Sequence, residues 1–421
     1  MKKNKRTLNP VTLLTGKYGI LLLTIINVCL ACLVVTIAGR WHFLDRTSYT
    51  NTDFMTYYLL DFRVGFVSRA LIGSLLYLFT HHPTVRMVTN ILITAVILSM
   101  LLFAYLQAQI AKKALQTGDY AALLLSCLFY LNSLFWCNTF EYFGHTDIFM
   151  TLLMQIYLIC TEKKRMLGYI LAPVVCTVGL LIHTSFPFVG FVVVGAVLWF
   201  DMLQHGKPDR IRIALFCTAC LVSVVLFIVF VFFTRETVRV SPDELMQLMR
   251  KKYDGQIDEE YFIAYLFRIG IRHSAITEDY FLRGLFDVSR IDFASSKIRR
   301  NMLNILPLTA AFFAGFIFHM RRSGSRKIAY LGFPAPFIAL FPALTFSTDR
   351  ERFFSLFILA QYMLLHYIMT QTDVHFLPCE TDLPTKKLPP AARKRKRLAN
   401  GLLIVCAAVG LAYTLLGLKT L

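Results

Sequence analysis

Residues 18–39 read YGILLLTIINVCLACLVVTIAG. This is an unbroken apolar run of roughly 20 residues, the length an α-helix needs to cross a hydrocarbon core about 30 Å thick. The basic stretch MKKNKR precedes it, as in a secretory signal, but the run has spanning length and lacks a small-residue cleavage site. It therefore reads as a retained first transmembrane helix. The rest of the 421-residue chain agrees: 57% of residues are hydrophobic, 16% are charged, and mean hydropathy is +0.59. That balance places the chain among integral membrane proteins.

Further apolar runs follow, and together with the first they predict an all-α polytopic protein with about 11 transmembrane helices. The run from Gly65 to Phe79 is too short for a span and reads as a re-entrant or interfacial helix. With the N-terminus in the cytoplasm, Lys112 and Lys113, Lys163 to Arg165, Lys207 to Arg212, Arg321 to Lys327 and KKLPPAARKRKR all fall on one side. This satisfies the positive-inside rule, so the formal charge of +19 reads as orientation and contact with anionic lipid rather than nucleic-acid binding. The expected organisation is an N-terminal transmembrane module (1–234) with a first outer loop at 40–84, an extracytoplasmic helical loop at 235–300, and a C-terminal transmembrane module (301–421) with a cytoplasmic basic loop at 371–398.

Most of the ten cysteines lie inside apolar runs, as small hydrophobes, and no spacing outlines a disulfide framework or a zinc site. In the long outer loop, SPDEL places Ser241 as N-cap and Pro242 at the first helical position. The helix it opens carries Leu245, Leu248 and Met249 on one face. The chain shows no phosphate-binding glycine loop and no serine-nucleophile elbow.

The topology sorts the polar chemistry onto the outer face. There lie Asp45, Asp53, and DFRVGFVSRALIG (61–73) with Asp61, Arg63 and Arg69; EYFGHTD with Glu141, His145 and Asp147; His183 of IHTSF; and STDRER with Asp349, Arg350 and Arg352. Mid-span positions read as apolar. Each residue has a plainer reading. A loop aspartate is commonly a solvated group or a helix cap, Asp147 is placed to cap the helix it begins, His183 marks a helix end, and Asp349 with Arg352 forms a helical i,i+3 pair. Arg69, inside an apolar stretch, requires snorkelling or a carboxylate partner. Gathered at one face, these residues describe a shared polar cavity. Arginines there suit a phosphate group, through their planar fork of donors, and carboxylates suit deprotonation of an acceptor hydroxyl. A lipid-linked sugar phosphate fits both.

The layout resembles the multi-spanning glycosyltransferases of the GT-C fold, and DFRVGFVSRALIG, GHTD, IHTSF and TDRERF resemble segments of bacterial membrane proteins of surface-polysaccharide synthesis. The resemblance implies an enzyme of the bacterial inner (plasma) membrane. Such an enzyme transfers sugar from a polyprenyl-phosphate donor to a glycan or glycolipid acceptor on the extracytoplasmic face, amid membrane lipids and without nucleic acid. It implies Asp61, Asp53 and Asp147 as catalytic carboxylates, Arg63, Arg69, Arg352 and Arg350 at the phosphate, and Glu141, His145, His183 and Asp349 in support. A divalent cation (Mg or Mn), if used, falls to Asp61 and Asp147. The first loop lacks the Asp-x-Asp pair of that family, so the identity of the base stays open. Two other readings compete: an O-antigen or capsule-type polysaccharide polymerase, favoured by Arg268, Arg272, Arg283 and Arg290, and a lipid-linked sugar flippase or transporter, which calls for polar mid-span residues.

Overall fold

The computed structural model describes residues 10–39, 41, 52–65, 69–140, 143–183, 185–204, 209–233, 240, 242–252, 301–303, 305–313, 334–340 and 350–371. Among them every regular element is helical. In chain order these are α1 (Pro10–Thr15), α2 (Gly19–Ile37), α3 (Thr52–Leu59), α4 (Ala70–Phe79), α5 (Val85–Thr117), α6 (Tyr120–Tyr130), α7 (Ser133–Phe140), α8 (Asp147–Lys163), α9 (Arg165–Ile182), α10 (Val192–Gln204), α11 (Arg210–Ile228), α12 (Pro242–Lys252), α13 (Asn301–Phe313) and α14 (Arg350–Gln371). A π-type turn, Pro187–Phe191, leads into α10, and a second, Val229–Phe233, extends α11.

Local sequence punctuates the helices. The Thr84 hydroxyl accepts from the Met87 backbone N–H at 3.2 Å and opens α5, while Gly118, at φ 68°, closes it in the left-handed conformation that glycine adopts without strain. The Asp119 carboxylate then accepts from the N–H of Ala122 at 3.0 Å and opens α6. Asp209 does the same for α11 through Arg212 N–H at 2.7 Å.

Five helices are long and apolar enough to cross a membrane: α2, α5, α9, α11 and α14. The number becomes six if α6 and α7, bent by 42°, form one broken span. The described residues therefore give five or six spans where the apolar runs alone predict about 11. Hydropathy counts apolar residues but does not see breaks such as those at Leu131–Asn132 and Pro187–Phe191. The helix α8 is 17 residues long, and α13 falls within a stretch only partly described. The apolar runs near 328–346 and 400–418, most of the outer loop and the basic loop at 371–398 lie wholly or mainly outside the described residues.

Hydropathy and burial run in opposite directions. The most apolar spans, α2 (2.9) and α11 (2.5), are 22% and 11% buried, whereas α14, at 1.5, is 94% buried. The outer helices present Leu21, Ile25, Leu221 and Val224 outward, as lipid requires. The central helix α14 packs against α5, α6, α7, α8 and α10 and so can carry polar groups. The middle of the bundle is correspondingly less apolar than expected. Tyr362 Oη donates to Gln107 Oε1 at 3.1 Å, Gln107 Nε2 to Ser126 Oγ at 3.0 Å, Tyr130 Oη to the Asn27 carbonyl at 2.9 Å, and Gln155 Nε2 to the Ser99 carbonyl at 3.0 Å. With hydrocarbon outside, such groups must find partners between helices, and each pair fixes one helix against another.

The short helices α3 and α4 fold back on each other. Gly73 makes this possible, because a Cβ there would lie 1.8 Å from the Leu60 carbonyl oxygen and 2.9 Å from that of Tyr58. Ser74 Oγ accepts from Phe62 N–H at 2.9 Å across the same contact. Replacing Gly73 by Ala should therefore lower stability by roughly 1–3 kcal/mol through overpacking. Gly195→Ala, where nothing lies within 4 Å of the new Cβ, should leave the thermal unfolding midpoint in detergent unchanged or raised.

Candidate functional site

Four separated segments meet at one end of the bundle: the α3–α4 region, the loop before α8, the turn after α9 and the start of α14. At their centre Asp147, the first residue of α8, is fully buried, and Arg352, in the first turn of α14, is 4% exposed. Arg352 Nη2 donates to Asp147 Oδ1 at 3.3 Å, and Arg352 Nε meets Oδ2 directly. Asp147 therefore does more than favour its own helix end. It holds a cation from a helix 205 residues away in sequence.

The turn after α9 supplies His183. Its Nε2 lies 3.0 Å from Arg352 Nη2 and 4.0 Å from Asp147 Oδ1, and its Nδ1 faces Ser185 Oγ at 2.7 Å and Ser185 N at 2.9 Å. The Ser185 backbone N–H donates to Nδ1, which therefore presents a lone pair, and the Ser185 hydroxyl lies close enough to donate to the same nitrogen. The turn is shaped by Phe186, whose ring occupies the space a side chain would need at both Gly179 (2.3 Å) and Gly190 (2.1 Å). The sequence GLLIHTSFPFVG thus locks the histidine by packing one ring between two glycines.

The first outer loop reaches the same place. Tyr58 Oη donates to the Gly144 carbonyl at 2.9 Å, the ring of Tyr57 lies 5.6 Å from that of His145, and the Arg69 guanidinium sits 4.9 Å from the Tyr57 ring centre. Arg69 is the one described non-glycine residue with positive φ, 70°. A side chain in that conformation costs about 1–3 kcal/mol and persists where surrounding contacts over-determine it, often at functional sites. Burial, then the positive charges of Arg352 and Arg69, hold the His145 imidazole well below the ordinary histidine range. It is neutral at pH 7.

Asp61 lies apart from this centre, in a cluster of its own. It takes Arg63 in a fork, Nε to Oδ1 at 2.9 Å and Nη2 to Oδ2 at 2.7 Å, and the Arg63 backbone N–H at 2.9 Å. Lys252, at the end of α12, pairs with the same carboxylate and donates to the Leu59 carbonyl at 2.8 Å. The Arg63 guanidinium lies 3.3 Å from the centre of the Tyr77 ring. Burial raises the Asp61 carboxyl, but the bonds from Arg63 and Lys252 outweigh it and hold it down at about 2. Asp61 thus tethers α12 to the first loop. The helix α12 begins at Pro242, as the sequence indicates, but its buried face is Leu245, Met246 and Met249, with Leu248 turned outward.

Of the residues singled out from sequence, the structure brings together Arg69, His145, Asp147, His183 and Arg352, and joins Asp61 to Arg63. Asp53 stands on α3 one turn before Tyr57. Glu141, Asp349 and Asp45 lie outside the described residues, as does the side chain of Arg350. Among the described residues, His, Cys, Asp and Glu form no group of three able to hold a metal ion. The carboxylates considered for a cation, Asp61 and Asp147, both face protein cations.

At the opposite end of the bundle the structure adds residues the sequence reading passed over. Glu162 pairs with His366 and accepts from Thr370 Oγ1 at 2.6 Å. Asp201 accepts from Tyr367 at 2.9 Å and Tyr169 at 3.0 Å, with Arg165 at 3.6 Å. Their signal was an ionisable residue inside an apolar run, His366 in LLHYIM and Asp201 in LWFDML.

The chain matches no protein-family model, no curated protein and no solved structure.

Removing one partner of the central pair leaves a buried charge unmatched. Asp147→Ala should destabilise by about 3–5 kcal/mol, with part of the loss restored in Asp147→Ala/Arg352→Met, as read by thermal unfolding. For Asp61 the folded carboxyl lies below its ordinary value of about 3.9. Its contribution is complete above that value and disappears as pH falls through about 2. Asp61→Asn at neutral pH should mimic the loss, raising amide exchange across α12 while α8 and α9 keep their protection.

Proposed function

We propose that this chain is a membrane glycosyltransferase that takes sugar from a polyprenyl-phosphate carrier on the extracytoplasmic face, in synthesis of a cell-surface polysaccharide or glycolipid. The observation that carries the reading is the convergence of Arg69, Arg352, His145 and His183, drawn from four segments, on one end of an all-helical bundle. The two arginines bring guanidinium donors to this end, with two imidazoles beside them, a set of groups suited to a leaving phosphate. The basic segments at the other end support an extracytoplasmic placement through the positive-inside rule.

In this reading the acceptor hydroxyl oxygen attacks the anomeric carbon, the bond from that carbon to the phosphate oxygen breaks, and the hydroxyl proton passes to a carboxylate. Asp61, held down at about 2 by Arg63 and Lys252, is a poor base, and Asp147 is occupied by Arg352. Asp53, carried on α3 in the first outer loop, is the remaining candidate carboxylate and the one we assign to the proton. Arg69 meets the charge that develops on polyprenyl phosphate. Asp147 and His183 hold Arg352 in place, and Asp61 is a positioning residue that keeps α12 against the first loop.

The test is transfer of sugar by purified protein from polyprenyl-phosphate donors to a lipid-linked glycan acceptor. Asp53→Asn should reduce the rate by about 100-fold or more with helix content unchanged, and Arg69→Met should do likewise. Asp61→Asn should retain measurable turnover. Full activity in Asp53→Asn would remove the assigned base, and movement of intact lipid-linked sugar across the bilayer without bond formation would replace the enzyme by a flippase.

A further inference from the structure

At the bundle end opposite the candidate site, α2, α5, α8 and α14 line an open cavity of about 470 Å³, within the roughly 300–1,000 Å³ of small-molecule sites. Its polar lining includes Lys112, Lys113, Lys163, Gln109, Glu162 and Thr370. Three ammonium groups thus share the space with one carboxylate, and that carboxylate already pairs with His366. The cavity is cationic.

It also holds acceptors in need of a donor. Glu162 Oε2, on a side chain 6% exposed, has no hydrogen-bond partner, and neither has the buried Gln109 Oε1. Phosphate oxygens match the lysines but cannot satisfy these two atoms, since they too are acceptors. A ligand carrying an anionic phosphate and a hydroxyl or ammonium donor answers both demands. The apolar part of the lining, Ile20 and Ile159, continues onto the outward-facing side chains Leu21 and Ile25 of α2 and Ile156 of α8. Chains of a lipid can lie there while its headgroup enters between the helix ends.

We propose that this cavity binds the headgroup of an anionic, hydroxyl-bearing phosphoglyceride, with phosphate on Lys112, Lys113 and Lys163 and the headgroup hydroxyls on Glu162 and Gln109. Basic pockets between transmembrane helices recognise phospholipid headgroups through this concentration of charge. The site shares no residue with the one proposed for sugar transfer and stands independently of it.

The test is lipid retention by the full-length protein, exchanged into nanodiscs of equal phosphatidylglycerol and phosphatidylcholine, then stripped with detergent and weighed by native mass spectrometry. Wild type should retain phosphatidylglycerol preferentially, and Lys112→Gln/Lys163→Gln should lose about five-fold in that preference per lysine, while Lys112→Arg/Lys163→Arg keeps it. Gln109→Leu should narrow the preference with the lysines intact. Equal retention of both lipids by wild type, or an undiminished preference in the glutamine variant, overturns the proposal. Complete displacement of the lipid by millimolar glycerol phosphate would also overturn it, by making the ligand a soluble phosphate. If the glutamine variant does not fold, the wild-type comparison and the arginine variant still decide.

Discussion

The structure depends on one buried ion pair, Asp147 with Arg352. A carboxylate and a guanidinium withdrawn from water at the end of a helical bundle are costly apart and acceptable only together, with their remaining hydrogen-bonding capacity met. Here His183 and Ser185 continue the network. The pair draws the start of α14 to the start of α8, and the helix behind it becomes the buried axis against which α5, α6, α7, α8 and α10 pack. Because α14 is enclosed by protein, it tolerates Gln361, Tyr362 and His366, and its polar side chains in turn hold the neighbouring helices in register.

Two charge clusters on the first loop act differently. Around Arg69 the backbone is strained and the guanidinium lies against the Tyr57 ring. Around Asp61 two cations, Arg63 and Lys252, converge on one buried carboxylate. The same thirteen-residue stretch, DFRVGFVSRALIG, therefore begins with a structural tether and goes on to a candidate phosphate ligand. The carboxylate most conspicuous in the sequence is the one most tightly held.

Much of the site was legible because helix ends are. Asp147, His183 and Arg352 each stand where an apolar run begins or ends, so alternating topology sends all three to one end without any knowledge of packing. The partners were not legible. Nothing in the run that holds Arg352 names Asp147 as its partner, and Lys252 comes to Asp61 from a loop whose docking no periodicity encodes. Glu162 with His366, and Asp201 with its two tyrosines, were hidden for the same reason: each residue alone is an anomaly in an apolar run, and only its neighbour explains it.

By itself, the sequence determined that this is an all-helical membrane protein, which end of the bundle collects Arg69, Asp147, His183 and Arg352, and where helices such as α5, α6 and α12 begin. These follow from local length, hydropathy and capping, which act within a few residues. Tertiary structure alone decided how many apolar runs become long straight spans, that the least apolar span is the central one, and which acid meets which base. Those outcomes arise from close packing and from the cost of unpaired charge, and both depend on residues far apart in the chain.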